Sequence, residues 1–237
     1  MEKALKKAVY TGAGKSAGWK SNEKLCSFYT KGEEIFNAVS HIAGGAIGLA
    51  MWAVLVYLAM PDVKSVVAVS VFGLSIVILY TMSSLYHFLH EGEAKYVFRI
   101  FDHCTIFLLI AGTYTPYCMI ALWNTPFGLP ILITEWACAI AGITMNAISM
   151  RNKVVKVISM VLYLVMGWLI LIAVVPMVQI LSIPCLVLLV AGGVAYTGGI
   201  VFYALGKKVK YFHSVWHLFD IAGTVLQFAS ILLMVMM

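Results

Sequence analysis

Charged side chains are scarce in this sequence. Asp, Glu, Lys and Arg make up only 11% of its 237 residues, whereas 62% are hydrophobic. Soluble domains carry about a quarter of charged residues, so the composition excludes an ordinary soluble domain and predicts an integral membrane protein. The net charge of +6 does not indicate a nucleic-acid partner, because the basic residues follow the loops of a membrane protein.

A cysteine pairing pattern is also missing. The five cysteines are an odd number, and no Cys-x-x-Cys occurs. The sequence therefore indicates neither a disulfide framework nor a thiolate metal site. Four of the cysteines fall inside apolar segments and are interpreted as small buried hydrophobic residues. These four are Cys104, Cys118, Cys138 and Cys185.

The first 33 residues lack a long apolar run. They are polar, carry seven lysines and contain no apolar core of a signal peptide before Ile35. We expect a basic cytoplasmic tail over residues 1–33, followed by a transmembrane domain over residues 34–237.

Apolar runs recur seven times along the rest of the chain, separated by short polar breaks. Each run is about 20 residues long, the length at which an α-helix crosses a hydrocarbon layer of about 30 Å. The sequence therefore predicts an all-α membrane protein with seven transmembrane helices and no second domain. The predicted spans are residues 35–59, 66–90, 98–121, 128–148, 156–176, 184–205 and 212–235.

Lysine and arginine are distributed one-sidedly over the breaks. Fifteen of the sixteen basic residues lie in the N-terminal tail or in the breaks after the second, fourth and sixth spans. Lys64, in the first break, is the exception. Because basic loops remain in the cytoplasm, this pattern predicts a cytoplasmic N-terminus, a C-terminus outside, and a multi-pass protein of the plasma membrane.

The last span opens with two histidines, His213 and His217, four residues apart. Residues at this spacing share one face of a helix, so both imidazoles can reach a single ion. His87, at the end of the second span, lies at a similar predicted depth, and three neutral imidazoles with an open fourth position are typical of catalytic zinc. Asp102 enters on the third span at that depth and can either bind the ion or hold its water. We therefore predict a Zn²⁺ site near the cytoplasmic face.

Ser83 precedes His87 by one helical turn, on the same face and deeper in the membrane, so we expect its hydroxyl to face the same cavity. A Ser-His-Asp nucleophile formed with Asp102 is an alternative, but no Gly-x-Ser-x-Gly elbow surrounds the serine. Other polar residues within the spans are interpreted as structural or hydrogen-bonded packing residues. These are His90, His103 and Glu135.

Three blocks of the sequence together resemble one family. They are Glu34-x-x-Asn37-x-x-x-His41, then Ser83-x-x-x-His87 with Arg99-x-x-Asp102, and finally His213-x-x-x-His217-x-x-Asp220. In this order they resemble the hemolysin III family, which belongs with the progestin and adipoQ receptors and, more distantly, with the alkaline ceramidases. The resemblance covers all seven spans. It implies that His87, His213 and His217 bind zinc, that Asp102 orients the water on the metal, and that Ser83 lines the site.

Three functions are compatible with such a site. The first is an intramembrane hydrolase of lipid amide or ester bonds, acting in membrane-lipid homeostasis, with Asp102 and Ser83 as catalytic residues. The second is a non-enzymatic receptor or sensor in which zinc joins the second and seventh helices. The third, suggested by the family's name, is a cytolytic channel, which the apolar outer halves of the spans disfavour. We expect no counterpart of the large N-terminal domain of the animal receptors, and hence no obvious platform for a protein hormone.

Overall fold

The computed structural model describes residues 28–237, and within that range the chain is helical without a strand. Seven helices are long and apolar enough to cross a membrane, which confirms the predicted fold class. Residues 1–27 of the predicted basic tail lie outside the described residues. The helices are α1 (Lys31–Ala59), α2 (Val63–Phe88), α3 (Glu93–Ala121), α4 (Gly128–Ser149), α5 (Lys153–Ile180), α6 (Ile183–Leu205) and α7 (Phe212–Val235).

Several helices begin earlier than the apolar pattern predicts, because their first turns are polar and capped. α1 begins four residues before Ile35. The side chain of Thr30 accepts the N–H of Glu33, and the Glu33 carboxylate accepts the N–H of Thr30 at 2.8 Å. The carboxylate of Asp62 caps α2 in the same way, and the amide oxygen of Asn152 caps α5. Such caps satisfy backbone N–H groups that have no partner inside the helix.

The helices form a bundle in which α3 is the most enclosed element. α1 packs on α2, α2 on α3, α3 on α4 and α6 on α7, and α7 returns to α1. In the apolar window of α3, 67% of residues are buried, whereas the value is 17% for both α5 and α6. The outer faces of α5 and α6 are therefore the most available to lipid.

Small residues allow α1 and α2 to approach closely. Gly44 and Gly48 lie one turn apart on the face of α1 that meets α2. A methyl group at Gly48 would lie 2.5 Å from Cγ2 of Ile76, and one at Gly44 would lie 3.3 Å from the ring of Tyr80. Because both contacts are tighter than ordinary van der Waals separations, larger residues would push the two helices apart.

The first turn of α7 is tied to the first turns of α1. Tyr211, just before α7, has a left-handed backbone with φ of 62°, which costs a non-glycine residue about 1–2 kcal/mol. Its N–H donates a 2.7 Å hydrogen bond to Oε1 of Glu33. The Ser214 hydroxyl donates a second 2.7 Å bond, to Oδ1 of Asn37. These contacts fix the ends of the helices that carry the predicted site.

Candidate metal centre

Three histidines converge at the end of the bundle where α1 and α7 begin and α2 ends. His87 lies in the last turn of α2, while His213 and His217 lie one turn apart at the start of α7. One ligand nitrogen from each ring lies within 4.8 Å of the others, and all three residues are buried. We call His87, His213 and His217 the histidine triad. The structure thus brings together the three residues that the sequence predicts as metal ligands.

The spacing within the histidine triad fits a small tetrahedral ion. Nε2 of His213 lies 3.3 Å from Nε2 of His217. Two Zn–N bonds of about 2.0–2.1 Å at a tetrahedral angle place their nitrogens about 3.4 Å apart. Nε2 of His87 is buried and has no hydrogen-bond partner among residues 28–237. The donor set therefore fits zinc, which takes a fourth ligand to complete a tetrahedron.

A carboxylate orients the ring of His87. Oε2 of Glu34, in the first turn of α1, lies 2.6 Å from Nδ1 of His87. The other oxygen of Glu34 lies 2.9 Å from the ammonium of Lys95, which also donates to the carbonyl of Leu89 at 3.1 Å. A carboxylate on Nδ1 favours the tautomer that leaves Nε2 free to bind a metal. No role was predicted for Glu34 from the sequence, although its depth in α1 matches that of His87 in α2.

The two histidines of α7 are held by stacking and by a hydroxyl. The ring of His41 stacks on that of His217 with centroids 3.7 Å apart, and Oγ of Ser40 lies 3.4 Å from Nδ1 of His217. On the other side, the Tyr29 ring stacks on His213 at 4.5 Å and 13°. Partial burial raises the pKa of the Tyr29 phenol well above its usual range, so this ring stays neutral. The Tyr29 ring therefore covers the histidine triad on the side of the first residues that the structure describes.

Asp102 lies beside the histidine triad and is not part of the convergent group. Its Oδ2 is 3.4 Å from Nδ1 of His103. Ser83, which is 1% exposed, is a further side-chain neighbour of Asp102, and His87 is near enough to interact with its charge. The structure does not bring Asp102 into the group of candidate ligands, and its role beside a metal stays a prediction.

The other predicted polar residues have different surroundings. Nε2 of His103 lies 3.1 Å from the Tyr203 hydroxyl, as expected for a hydrogen-bonded packing residue. The same interpretation is wrong for His90, which is exposed because α2 ends at Phe88. Glu135 is fully buried in α4, and neither carboxylate oxygen has a hydrogen-bond partner within the described range.

An apolar cavity of about 100 Å³ lies among α3, α5, α6 and α7. Its lining includes Asp220, one turn beyond His217 on α7, and Tyr203, whose ring centroid is 6.1 Å from that of His213. Asp220 in turn lies 3.8 Å from Nε2 of His41. The cavity therefore reaches side chains that neighbour the histidine triad, although none of the three histidines is among its lining residues. Sequence patterns did not predict it, because its walls depend on how four helices, α3 and the consecutive α5, α6 and α7, pack and rotate against one another.

These features define a class: a seven-helix membrane protein with a buried three-histidine candidate metal centre at one end of its bundle. The profile of the Haemolysin-III related family matches residues 29–228, a range that contains the whole triad. The chain belongs to this family.

Its relatives include proteins of two bacilli. The chain is 37% identical over 206 residues to Hemolysin-3 of Bacillus cereus, a match that covers 86% of this chain and 92% of the relative. It is 34% identical over 206 residues to the Hemolysin-3 homolog of Bacillus subtilis, covering 86% and 95%. Monocyte to macrophage differentiation factor of Homo sapiens is 24% identical over 169 residues, covering 68% of this chain and 67% of the relative. This distant match supports the wider superfamily that the sequence motifs suggest.

Proposed function

We propose that the protein is a zinc-dependent intramembrane hydrolase of lipid amide or ester bonds that acts in membrane-lipid homeostasis. The observation that carries the proposal is the convergence of His87, His213 and His217 beside an apolar cavity. Only three protein ligands come together in the described chain, and catalytic zinc sites characteristically keep the fourth position for water or substrate.

Zinc, when bound, would supply a Lewis acid that polarises a carbonyl and activates water. The carboxylate of Asp102 would accept the proton of the attacking water as its oxygen joins the carbonyl carbon. The Ser83 hydroxyl would donate a hydrogen bond to the oxyanion that develops there. The C–N or C–O bond then breaks, and the proton held by Asp102 passes to the leaving amine or alcohol.

The cavity supports a lipid as the substrate. Its walls are mainly apolar and aromatic, as in Ile110, Leu164 and Trp168, and its polar edge at Tyr203 and Asp220 adjoins the histidine triad. The part of an acyl chain next to the linkage would lose little solvation on moving from the hydrocarbon layer into this cavity, while the polar linkage itself would lie near the metal ligands.

A second candidate is a non-enzymatic sensor in which zinc joins α2 to α7. The observation that favours it is the enclosure of the site: His87 is 2% exposed, His213 is 4% exposed, and the Tyr29 ring covers His213. A metal that joins two helices contributes to stability because the unfolded chain does not present the same ligands.

The two candidates are separated by assaying purified full-length protein on lipid amides and esters. Asp102→Asn keeps the size of the side chain but removes the base, so activity should fall by orders of magnitude while zinc largely remains. Ser83→Ala should lower the hydrolytic activity roughly 10²-fold or more, the effect of losing one hydrogen-bond donor to the oxyanion. His217→Ala, which removes a ligand, serves as the inactive control.

Full activity in a folded Asp102→Asn variant would contradict the hydrolase proposal and leave the sensor. A cytolytic channel, the activity suggested by the name of the Bacillus cereus relative, requires a different result. Purified protein reconstituted at low density would have to conduct ions, and a point change would have to abolish the conductance.

A further inference from the structure

Three consecutive residues, Phe28, Tyr29 and Thr30, cross the end of the bundle that holds the histidine triad. They precede α1 and are neither helical nor part of a strand. Phe28 and Tyr29 are nevertheless partly buried. We call residues 28–30 the strap. Each of its residues contacts a different part of the bundle, so the strap has an attachment at both of its ends and a middle that lies over the site.

Thr30 fixes one end of the strap to α1 and, through Glu33, to the start of α7. Oε2 of Glu33 accepts hydrogen bonds from the N–H of Thr30 at 2.8 Å and from its hydroxyl at 2.7 Å. Oε1 of the same carboxylate accepts the N–H of Tyr211 at 2.7 Å. Glu33 is only 3% exposed. Hydrogen bonds to a charged group are the stronger kind, so this end of the strap is firmly held.

Tyr29, in the middle of the strap, lies over two members of the histidine triad. Its ring stacks on that of His213, with 4.5 Å between centroids and 13° between planes. The Tyr29 centroid also lies 5.8 Å from that of His87. His213 belongs to α7 and His87 to α2, so one side chain bridges both helices. Rings stacked at this distance are in van der Waals contact, which leaves no space for water between Tyr29 and His213.

Phe28 holds the other end of the strap by weaker contacts. Its ring centroid lies 5.0 Å from the Arg99 guanidinium of α3 and 4.3 Å from the Lys207 ammonium, just beyond α6. Its ring also meets that of Tyr29 edge-on, with centroids 6.3 Å apart. Cation–π contacts are weak where the cation is exposed, as Lys207 is. The contacts of Phe28 are therefore the ones that break first when the strap moves.

We propose that the strap is a movable cover of the candidate metal centre, which opens when Phe28 releases its two cations while Thr30 stays in place. In the closed state, shown by the structure, Tyr29 blocks the approach to His213 from this end of the bundle. Exchange of a metal, and attack by a water-soluble reagent from this side, require the open state. The inference concerns access to the histidine triad, so it goes beyond both candidate functions and depends on neither turnover nor the substrate.

Chemical labelling of the metal-free protein tests the cover without relying on zinc. Purified full-length protein in detergent is stripped with a chelator and treated with diethyl pyrocarbonate, and the labelling rate of each histidine is measured by peptide mass spectrometry. In wild-type protein, His213 should be labelled much more slowly than the exposed His90. Tyr29→Ala should raise the rate at His213 about tenfold or more and leave His90 unchanged. Tyr29→Phe, which keeps the ring, should behave like wild type.

Substitutions at the other end of the strap distinguish its opening from a local loss of packing. Phe28→Leu leaves Tyr29 in the chain but removes both cation–π contacts, so labelling of His213 should accelerate about five- to thirtyfold. Lys207→Gln removes one of the two contacts and should accelerate it about two- to fivefold. Lys208→Gln is the matched control, because it removes the same charge from the next residue, which is also exposed. It should leave the labelling rate unchanged.

The rates of zinc exchange supply a second measurement, and this one rests on the proposed zinc centre. A cover that must open for both entry and exit changes the two rates by the same factor and leaves the equilibrium affinity unaltered. Phe28→Leu should therefore accelerate zinc binding and zinc release alike, about five- to thirtyfold, in stopped-flow mixing with a chromophoric chelator. A residue that only orients His213 would change the affinity instead.

Several results would overturn the inference. They are equal labelling of His213 and His90 in the wild type, unchanged labelling of His213 in Tyr29→Ala or Phe28→Leu, equal effects of Lys207→Gln and Lys208→Gln, and a Phe28→Leu variant that loses zinc affinity without faster binding. Faster labelling of His90 in the same variants would also overturn it, since the whole bundle would then have loosened. The predicted labelling pattern in a protein that binds no zinc would support the cover and remove only the metal centre. Zinc binding with labelling that ignores the strap would remove only the cover.

Discussion

Glu34→Gln tests the link between the first helix and the metal ligands. The carboxylate of Glu34 lies 2.6 Å from Nδ1 of His87 and 2.9 Å from the ammonium of Lys95. Glutamine keeps the shape of the side chain and an oxygen for Lys95, but it removes the charge that favours the metal-binding tautomer of His87. Loss of such a partner lowers metal affinity about 10–100-fold, or about 1.4–2.7 kcal/mol.

The assay is a competition for zinc between the purified protein and a chromophoric chelator, with the unfolding temperature of the metal-free protein measured in parallel. Lys95→Met changes the other side of the same carboxylate, so it should alter stability more than zinc affinity. Asp62→Asn changes an exposed acid that caps α2 and contacts none of the histidine triad; it should leave zinc affinity unaltered. A folded Glu34→Gln variant with wild-type zinc affinity would refute the assigned role of Glu34.

Further predictions concern topology, the ligand set and packing. A reporter fused after Met237 should be outside the cytoplasm and one inserted after Lys153 inside, because of the one-sided basic loops; the opposite location of either would refute the proposed orientation. His217→Ala should lower both the zinc content and the unfolding temperature. His90 is exposed, so His90→Ala should lower neither. Equal effects of the two substitutions would count against the assigned ligands. Gly48→Leu should destabilise the bundle by about 1–3 kcal/mol through overpacking, because even a methyl group at this position would lie 2.5 Å from Ile76. The free energy of unfolding is measured by denaturant unfolding in detergent. Unchanged stability would show that α1 and α2 separate easily.

The seven spans could be predicted because apolar length alone distinguishes a membrane-crossing helix. The predicted boundaries were less accurate at the polar ends. α3 begins at Glu93, five residues before the predicted residue 98, and α1 includes Glu33 and Glu34 in its first turn. A search for apolar runs starts a helix after its charged first turn. Helix caps and the helix dipole nevertheless favour acidic residues in that turn.

The candidate site could be predicted in part. His213 and His217 share a face by helix periodicity, and the alternation of spans places His87 at the same end of the bundle. The contact between Glu34 and His87 joins residues 53 positions apart, and the stacking of His41 on His217 joins α1 to α7. Such pairings depend on which helices are neighbours and on how each is rotated, and neither property follows from apolar periodicity.

The zinc content of the purified protein tests the central claim most directly. Full-length protein is prepared in detergent. Its zinc content is measured by inductively coupled plasma mass spectrometry, and its helical content is measured by circular dichroism. We expect about one zinc ion per chain. The ion should be absent from a folded His87→Ala variant, and added zinc should restore it to metal-stripped wild-type protein. Folded wild-type protein that contains no zinc, and binds none when zinc is supplied, would contradict the account.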